Sequence, residues 1–337
     1  MGQRTAAVSP VLLKRLAGQA LPAGATYTRS TIATYSDVGT VVQTAGINTL
    51  RGAPGTVAYV GGVAVDLLEG GRTNSVLYSR DLTNAAWTFT GTGSRTQNAT
   101  GLDGTANSAT TLTDSDATAF AADYQTVTVP VDSNTHTIAF WIKKDTDQTR
   151  FPGLDVTISG GTLVQRLVQL NTQTGALFVV TATGTGTTRV VDGGLWWIVE
   201  TTVANNGSAL NTMLLARIYP AVTAAFGGGN NPAATGSCVV GQVQVELASS
   251  FYSSPIFTTS SAVSRGADAL SLPGVTCGTA TLFYRYYDLA TATWVDTVSA
   301  YTSGTTITPP LNRAYQVDAV LNGTLTAPQA AAILGVP

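Results

Sequence analysis

The sequence predicts a mainly β protein, built as a two-sheet antiparallel sandwich or jelly roll. From Tyr27 onward, apolar and polar residues alternate with a period of two, turn residues recur at about eight- to twelve-residue intervals, and helical patterns are missing between the strand segments. Only 11% of the residues are charged, whereas 35 of 337 are glycine. Such a composition is typical of short strands joined by tight turns.

Residues 1–30 are predicted to form an N-terminal helical arm. Ser9 is a candidate N-cap, and Pro10 occupies the first helical position. A helix of about three turns is marginal by itself, so its apolar face must pack either on the rest of this protein or on another protein. The apolar positions at helical spacing include Val11, Leu12, Leu13 and Leu16.

Residues 31–272 are predicted to form the β domain. Its last long strand, Val240 to Leu247, is predicted to bury its valines and to expose Gln242, Gln244 and Glu246. The following Ser-, Thr- and Pro-rich segment is predicted to run over the surface to a domain boundary. There Arg265 and Asp268 are expected to form a local salt bridge or a turn.

Residues 273–337 are predicted to form a small C-terminal β module. Two aromatic-rich strands flank a turn near Leu289 to Thr293, and a short helix is expected from Ala327 to Leu334. Thr326 is the candidate N-cap of that helix, and Gly335 would end it.

Composition argues against several partners. The net charge of −2 gives no basic footprint for nucleic acid or an anionic membrane. The apolar runs fall short of the roughly 18 to 20 residues of a membrane-spanning helix, and a secretory signal is not recognisable. We therefore expect a soluble, unprocessed chain. The two cysteines, Cys238 and Cys277, are expected to be unpaired thiols of a protein made in a reducing cell.

No catalytic residue is predicted. His136 is the single histidine and lies in mid-strand among apolar neighbours, a pattern that favours a core histidine over a general base. Glu200 and Glu246 lie in predicted strands, where each carboxylate either polarises a sugar hydroxyl or keeps the strand face solvated. The Asp-rich segment Asp114 to Tyr124 is either a calcium-binding loop or a plain polar loop. No other cofactor or metal site is expected.

Sugar binding is the chemistry best matched by the aromatic residues. All-β domains stack sugar faces on aromatic rings while polar side chains bond the hydroxyl groups. Because neighbouring strand residues point to opposite faces, one of Trp196 and Trp197 is expected in the core and the other outside or at an interface. The candidate carbohydrate-binding residues are Trp87, Tyr124, Trp196, Trp197 and Glu246.

The motifs between about Thr31 and Asp268 resemble a segment of tailed-bacteriophage fibre, spike and minor structural proteins. The segment DLLEGGRTNSVLYSRDLTNAAWTFTGTGSRTQNATGLDG is similar to one of theirs, and TIAFWIKKD, GGLWWIVETTV and VGQVQVELASSFYSSPIFTTSSAVSRGAD follow in the same order. Ile198 departs from the family, which often has Arg there. The residues of the first segment that carry the resemblance are Leu67, Leu68, Glu69, Arg72, Thr73, Asn74, Tyr78, Ser79, Asn84, Trp87, Asp103 and Gly104.

The resemblance implies a concanavalin-like or carbohydrate-module-like jelly roll in a virion head spike, head fibre or tail-associated fibre. Such a protein is assembled in the host cytoplasm, often as a homotrimer that contacts host-surface glycans. The helical arm would then attach it to other virion proteins. Two other functions stay open: a capsid decoration or connector subunit with a purely structural role, and a capsule-degrading glycosidase or lyase.

Overall fold

A computed structural model describes most of the middle of the chain and parts of both ends. The described residues are 11–14, 26–36, 42–45, 47, 58–60, 63–65, 69–146, 151–207, 210–271, 280–288, 293–302, 306–307, 315–322, 326 and 328–329. Cys277 and most of the predicted C-terminal helix lie outside them. Of that helix, Pro328 and Gln329 are helical, and the Thr326 backbone N–H and hydroxyl both donate to the Gln329 side chain, at 2.8 and 3.0 Å.

The described residues contain 25 strands. In chain order they are β1 Val11–Lys14, β2 Thr26–Thr28, β3 Ala33–Ser36, β4 Val42–Ala45, β5 Ala58–Val60, β6 Val63–Val65, β7 Arg72–Asn74, β8 Thr88–Thr90, β9 Gly93–Ala99, β10 Ala109–Asp114, β11 Ala122–Thr128, β12 Thr135–Lys143, β13 Phe151–Ser159, β14 Val164–Leu170, β15 Leu177–Thr183, β16 Gly186–Asp192, β17 Trp196–Ala204, β18 Met213–Thr223, β19 Gly236–Glu246, β20 Val263–Arg265, β21 Ala269–Ser271, β22 Ala280–Asp288, β23 Thr293–Tyr301, β24 Thr306–Ile307 and β25 Tyr315–Asn322. The predicted mainly β class is confirmed.

The chain forms two compact units. The two-sheet unit comprises Gly39–Val42 and Arg72–Ser264, and the terminal unit comprises Met1–Val38, Gln43–Gly71 and Arg265–Pro337. The sequence instead predicted boundaries near residues 30 and 272.

The two-sheet unit contains two six-stranded antiparallel sheets. Sheet I has the order β16-β17-β12-β19-β10-β9, and sheet II has the order β15-β14-β13-β18-β11-β8. Alternate residues of both sheets form one hydrophobic cluster, for example Phe140 and Val243 from sheet I with Val156 and Ile218 from sheet II. The period-two pattern of the sequence therefore corresponds to strands that each turn one face toward a common core.

The pairing of the central strands is nested. β10 pairs with β19, β11 with β18, β12 with β17, and β13 with β14, all antiparallel. β9 joins sheet I beside β10, and β8 joins sheet II beside β11. The outermost strands of the nest are thus far apart in sequence, and the innermost pair is nearly consecutive.

The predicted N-terminal helical arm is not confirmed. Val11, Leu12 and Leu13 belong to β1, which pairs antiparallel with β25; Leu16 lies outside the described residues. A short amphipathic helix gains little on its own, whereas β25 offers a strand edge that pairs the backbone groups of β1. The hairpin predicted in the C-terminal segment is present as β22 and β23.

Two buried ion pairs lie in the terminal unit, and they replace the predicted contact between Arg265 and Asp268. Arg265 donates to Glu69 at 2.7 Å, and Arg29 pairs with Asp268 at 3.1 Å. Asp268 also accepts hydrogen bonds from the Tyr27 hydroxyl and, at 2.7 Å, from the backbone N–H of Glu69. Each charge is neutralised by a residue distant in sequence, so local spacing could not identify the partner.

Candidate functional site

Trp87, a predicted sugar-binding residue, is part of the hydrophobic core. Its side chain is 1% exposed, and its indole N–H donates to the backbone carbonyls of Leu77 and Tyr78 at 3.0 and 3.2 Å. The buried ring has no face open for stacking on a sugar. The prediction that Trp87 binds carbohydrate is therefore incompatible with its position.

Trp196 and Trp197 point to opposite sides of sheet I. Trp196 is buried in a second hydrophobic cluster and lies so close to Gly241 that a Cβ there would be 2.8 Å from the ring. Trp197 is half-buried against the main core; its N–H donates to the Thr172 carbonyl at 2.8 Å, and the Lys144 ammonium lies 4.1 Å from its ring. Both rings are already occupied by protein contacts.

Glu246 lies on the outer face of sheet I in a buried row of polar side chains, Gln242, Gln244 and Glu246, which we call the ladder. The predicted exposure of Gln242, Gln244 and Glu246 is wrong, since each is at most 1% exposed. Residues 248–258, which we call the covering segment, lie over this face. Alternation in a strand defines two faces, but it does not reveal whether another part of the chain covers the second one.

The ladder holds the covering segment through side-chain hydrogen bonds. The side-chain oxygen Oε1 of Gln244 accepts from the Ile256 N–H at 2.7 Å, and the side-chain amide of Gln242 donates to the Ile256 carbonyl at 3.0 Å. Glu246 accepts from the Ser253 N–H at 3.0 Å. Buried backbone groups require partners, and here glutamine and glutamate side chains replace a neighbouring strand. The pattern Gln-x-Gln-x-Glu before a Ser-Pro segment is a signal for this arrangement.

Glu200 is used in the same way. Its carboxylate pairs with both Nε and Nη2 of Arg189 at 2.9 Å and accepts from the Tyr252 N–H at 3.0 Å. Carboxylates that cleave sugars must face the substrate, but Glu200 and Glu246 are 3% and 1% exposed. Both glutamates therefore anchor the covering segment. The sequence predicted either a sugar contact or a solvated strand face for each of them, and neither alternative included this role.

Residues that carry the phage-protein resemblance also have structural roles. Asn74 is fully buried and bonds only to backbone groups, donating to the carbonyls of Val243 and Ile256 and accepting from the N–H groups of Val76 and Val245. The Asn84 side chain accepts from the N–H of a following residue at 3.0 Å and so fixes a turn. These motif positions specify the fold of the loop before β8.

Tyr124 is the one predicted sugar-binding residue on an open sheet face. It is half-buried and lies in register between Thr88 and Arg217. Arg217 is paired in turn with Asp155, so the same row continues across sheet II. The row, which we call the central row, consists of Thr88, Tyr124, Arg217, Asp155, Leu167 and Thr181.

Two further rows flank the central row on the same face. On one side Tyr219, Gly153, Gln169 and Phe178 are in register; on the other side Thr126, Leu215, Thr157, Gln165 and Thr183 are in register. Their neighbours along each strand, such as Leu154 and Ile218, point into the core. The three rows together form the outer face of sheet II. The loop after β18 covers the Gln169 end of the first row, where the Gln169 amide donates to the Gly228 carbonyl at 2.9 Å. The accessible part of the face, around Tyr124, Arg217 and Thr126, is our candidate functional site.

An ion pair lies at the centre of this face. Asp155 is fully buried and accepts from Arg217 Nε at 3.1 Å, from the Thr157 hydroxyl at 3.1 Å and from the Gln165 amide at 3.0 Å. The Arg217 side chain is 29% exposed, so the guanidinium is held in a fixed orientation yet remains accessible to a ligand.

An aromatic pair lies beside the guanidinium. Arg217 lies over the Tyr219 ring, 5.0 Å from its centroid, and Phe120 packs edge-on against the same ring at 5.7 Å. Burial raises the pKa of Tyr219, and the nearby Arg217 charge only partly offsets this, so the phenol is a neutral donor and acceptor at physiological pH. The face combines ring surfaces with fixed hydrogen-bonding groups.

Sequence reasoning missed Arg217, Asp155 and Tyr219. The alternation in MLLARIYPAV places Leu215, Arg217 and Tyr219 on one strand face, and that signal was available. The pairing of Arg217 with Asp155 and Tyr124 was not, because it depends on the register of strands that are 62 and 93 residues apart.

The Asp-rich segment, which the sequence left as either a calcium-binding loop or a plain polar loop, uses the carboxylates of Asp114 and Asp116 for its own backbone. Asp114 accepts from the N–H groups of Asp116 and Ala121, and Asp116 accepts from those of Thr118 and Ala119. Within the described ranges, no group of three or more His, Cys, Asp and Glu side chains is arranged to hold a metal ion.

His136 and Cys238 are both buried in the two-sheet unit. The imidazole Nδ1 of His136 accepts from the Ala248 N–H at 3.2 Å, and burial lowers the pKa of His136. Cys238 is a free thiol in the core, and burial raises its pKa to about 12. In the part of the chain that the structure describes, no helix is long and apolar enough to cross a membrane.

Comparison with known proteins gives no family for this chain. Neither the protein-family models nor the curated proteins searched contain a match to it.

Proposed function

We propose that this chain is a structural protein of a tailed-bacteriophage particle, either a head spike or fibre or a tail-associated fibre, and that it binds host-surface carbohydrate. The observation that carries the binding proposal is the central row, in which the partly exposed Tyr124 and Arg217 lie in register with the buried Asp155. Aromatic rings beside oriented polar groups suit the alternating apolar faces and hydroxyl groups of a sugar.

The nested pairing supports a jelly roll, the fold implied by the resemblance to phage proteins. Eight strands, β10 to β14 and β17 to β19, pair from the outside inward, β10 with β19 and finally β13 with β14. A long antiparallel ribbon folded over into two sheets has this order, and jelly rolls of eight strands are built in this way. The remaining four strands extend the edges of the sheets: β9 and β16 are the edge strands of sheet I, and β8 and β15 are those of sheet II.

We expect Tyr124→Ala to weaken binding of the intact protein to its glycan by at least about tenfold, since losing a stacked ring costs roughly 1.5 kcal/mol. The measurement is a glycan array followed by titration of the best sugar. Trp197→Phe is the matched control, because it alters an aromatic ring away from this face and should leave affinity unchanged. Loss of binding in Trp197→Phe with full binding in Tyr124→Ala would place the site elsewhere. If the protein bound no glycan on the array, the proposal that it binds host-surface carbohydrate would be removed.

A connector or decoration role is the second candidate, favoured by an apolar patch at one end of the two-sheet unit. Loops there are joined by hydrogen bonds from Val129 N–H to the Thr212 carbonyl and from Gly161 N–H to Asn211. Their exposed apolar residues are Val131, Leu163, Leu210 and Met213, at 51, 44, 65 and 47%. A particle map with this end buried by neighbouring proteins and the face of sheet II covered would favour the second candidate, and a map with the face free would favour the first.

A further inference from the structure

The charge on the outer face of sheet II is balanced. Across its three rows, the described residues include two charged side chains, Arg217 and Asp155, and these pair with each other. All the other row residues are threonine, tyrosine, leucine, glutamine, glycine or phenylalanine. The face therefore offers hydrogen bonds and ring surfaces without a net charge.

The Arg217 charge is committed to Asp155. Two guanidinium nitrogens contact the same carboxylate oxygen, while Thr157 and Gln165 hold the other oxygen at 3.1 and 3.0 Å. A ligand carboxylate that approached Arg217 would meet a guanidinium already neutralised and would also lie near the buried Asp155 charge. Its desolvation would not be repaid by a free cation.

We propose that this face selects neutral glycans, chains of hexoses or N-acetylhexosamines, over chains that carry carboxylate, sulfate or phosphate groups. The inference rests on the proposed carbohydrate-binding function and adds to it the chemical class of the ligand. The Asp155 carboxylate is the specificity-determining group, because it cancels the one cation that an acidic sugar would otherwise use.

The test is an array on which each neutral oligosaccharide is printed beside its uronic acid or sulfated counterpart, probed with the intact protein and with two variants. We expect the wild-type protein to prefer the neutral member of a pair by about tenfold or more. Asp155→Asn keeps the size of the side chain and releases the Arg217 charge, so the preference should move at least about tenfold toward the acidic member. Thr126→Lys, at an exposed position of the same face, should move it in the same direction without disturbing the ion pair.

The possible outcomes separate the two proposals. A wild-type protein that binds acidic members more tightly would overturn the neutral selectivity and leave carbohydrate binding in place. Binding to no pair at all would remove carbohydrate binding itself. Unchanged preference in the folded Thr126→Lys protein would show that charge on this face does not select the ligand. This variant keeps the proposal testable even if Asp155→Asn fails to fold.

Discussion

Asn74→Ala is expected to lower the free energy of unfolding of the two-sheet unit by at least about 3 kcal/mol, since each hydrogen bond is worth about 1 kcal/mol and each buried group left without a partner costs about 1 to 3. Its amide donates to Val243 and Ile256 at 3.3 and 2.8 Å and accepts from Val76 and Val245 at 3.3 and 3.0 Å. Alanine would leave backbone groups of three separate segments without hydrogen-bond partners.

Urea unfolding followed by tryptophan fluorescence measures this effect, because four of the five tryptophans lie in the two-sheet unit. The control is Asn84→Ala, where the side chain makes one bond in a local turn and about 1 kcal/mol or less should be lost. Similar losses for the two variants would contradict the role assigned to Asn74, which is to join the loop before β8, strand β19 and the covering segment.

The stability of the wild-type protein should contain a component that falls by up to about 4 kcal/mol as pH rises from about 4 to 7, and Asp123→Asn should remove it. Asp123 is fully buried, and one of its carboxylate oxygens has no hydrogen-bond partner in the described structure. Burial raises its pKa to about 7, and Arg95, at 3.3 Å, only partly offsets this.

The sign follows from proton binding. Between the unfolded pKa of 3.8 and the folded value of about 7, the folded state holds a proton that the unfolded state has lost, so raising the pH favours unfolding. The lowered pKa of His136 acts in the opposite direction below about pH 6.5. The difference between wild-type and Asp123→Asn stability at each pH therefore isolates Asp123, because His136 contributes equally to both proteins.

Asp116→Asn is the matched control for this pH dependence. Asp116 is exposed in a loop, and its lowered pKa of about 2 confines its effect to pH values below about 4, where stability should decrease as the pH falls. A wild-type profile that runs parallel to that of Asp123→Asn from pH 4 to 8 would show that the Asp123 carboxyl titrates normally.

The sequence by itself determined the mainly β class, because period-two alternation and closely spaced turns are local properties. It also located the hairpin of β22 and β23, and it named Tyr124 as a candidate, which stays a prediction. It did not decide the conformation of the N-terminal segment: Val11 to Leu13 fit helical spacing, but apolar residues of these types fit a strand equally well. Pairing with β25 decided between the two, and that pairing joins opposite ends of the chain.

Only the tertiary structure decided which strand faces are covered. Gln244, Glu246 and Glu200 alternate like solvent-facing residues, yet they hold the covering segment in place of a neighbouring strand. Conversely, Tyr124, Arg217 and Asp155 become one site because strands distant in sequence share a register. Alternation sets the direction of a side chain within its own strand. Which face is covered, and which strands share a register, depends on contacts between segments far apart along the chain, and no local pattern encodes those contacts.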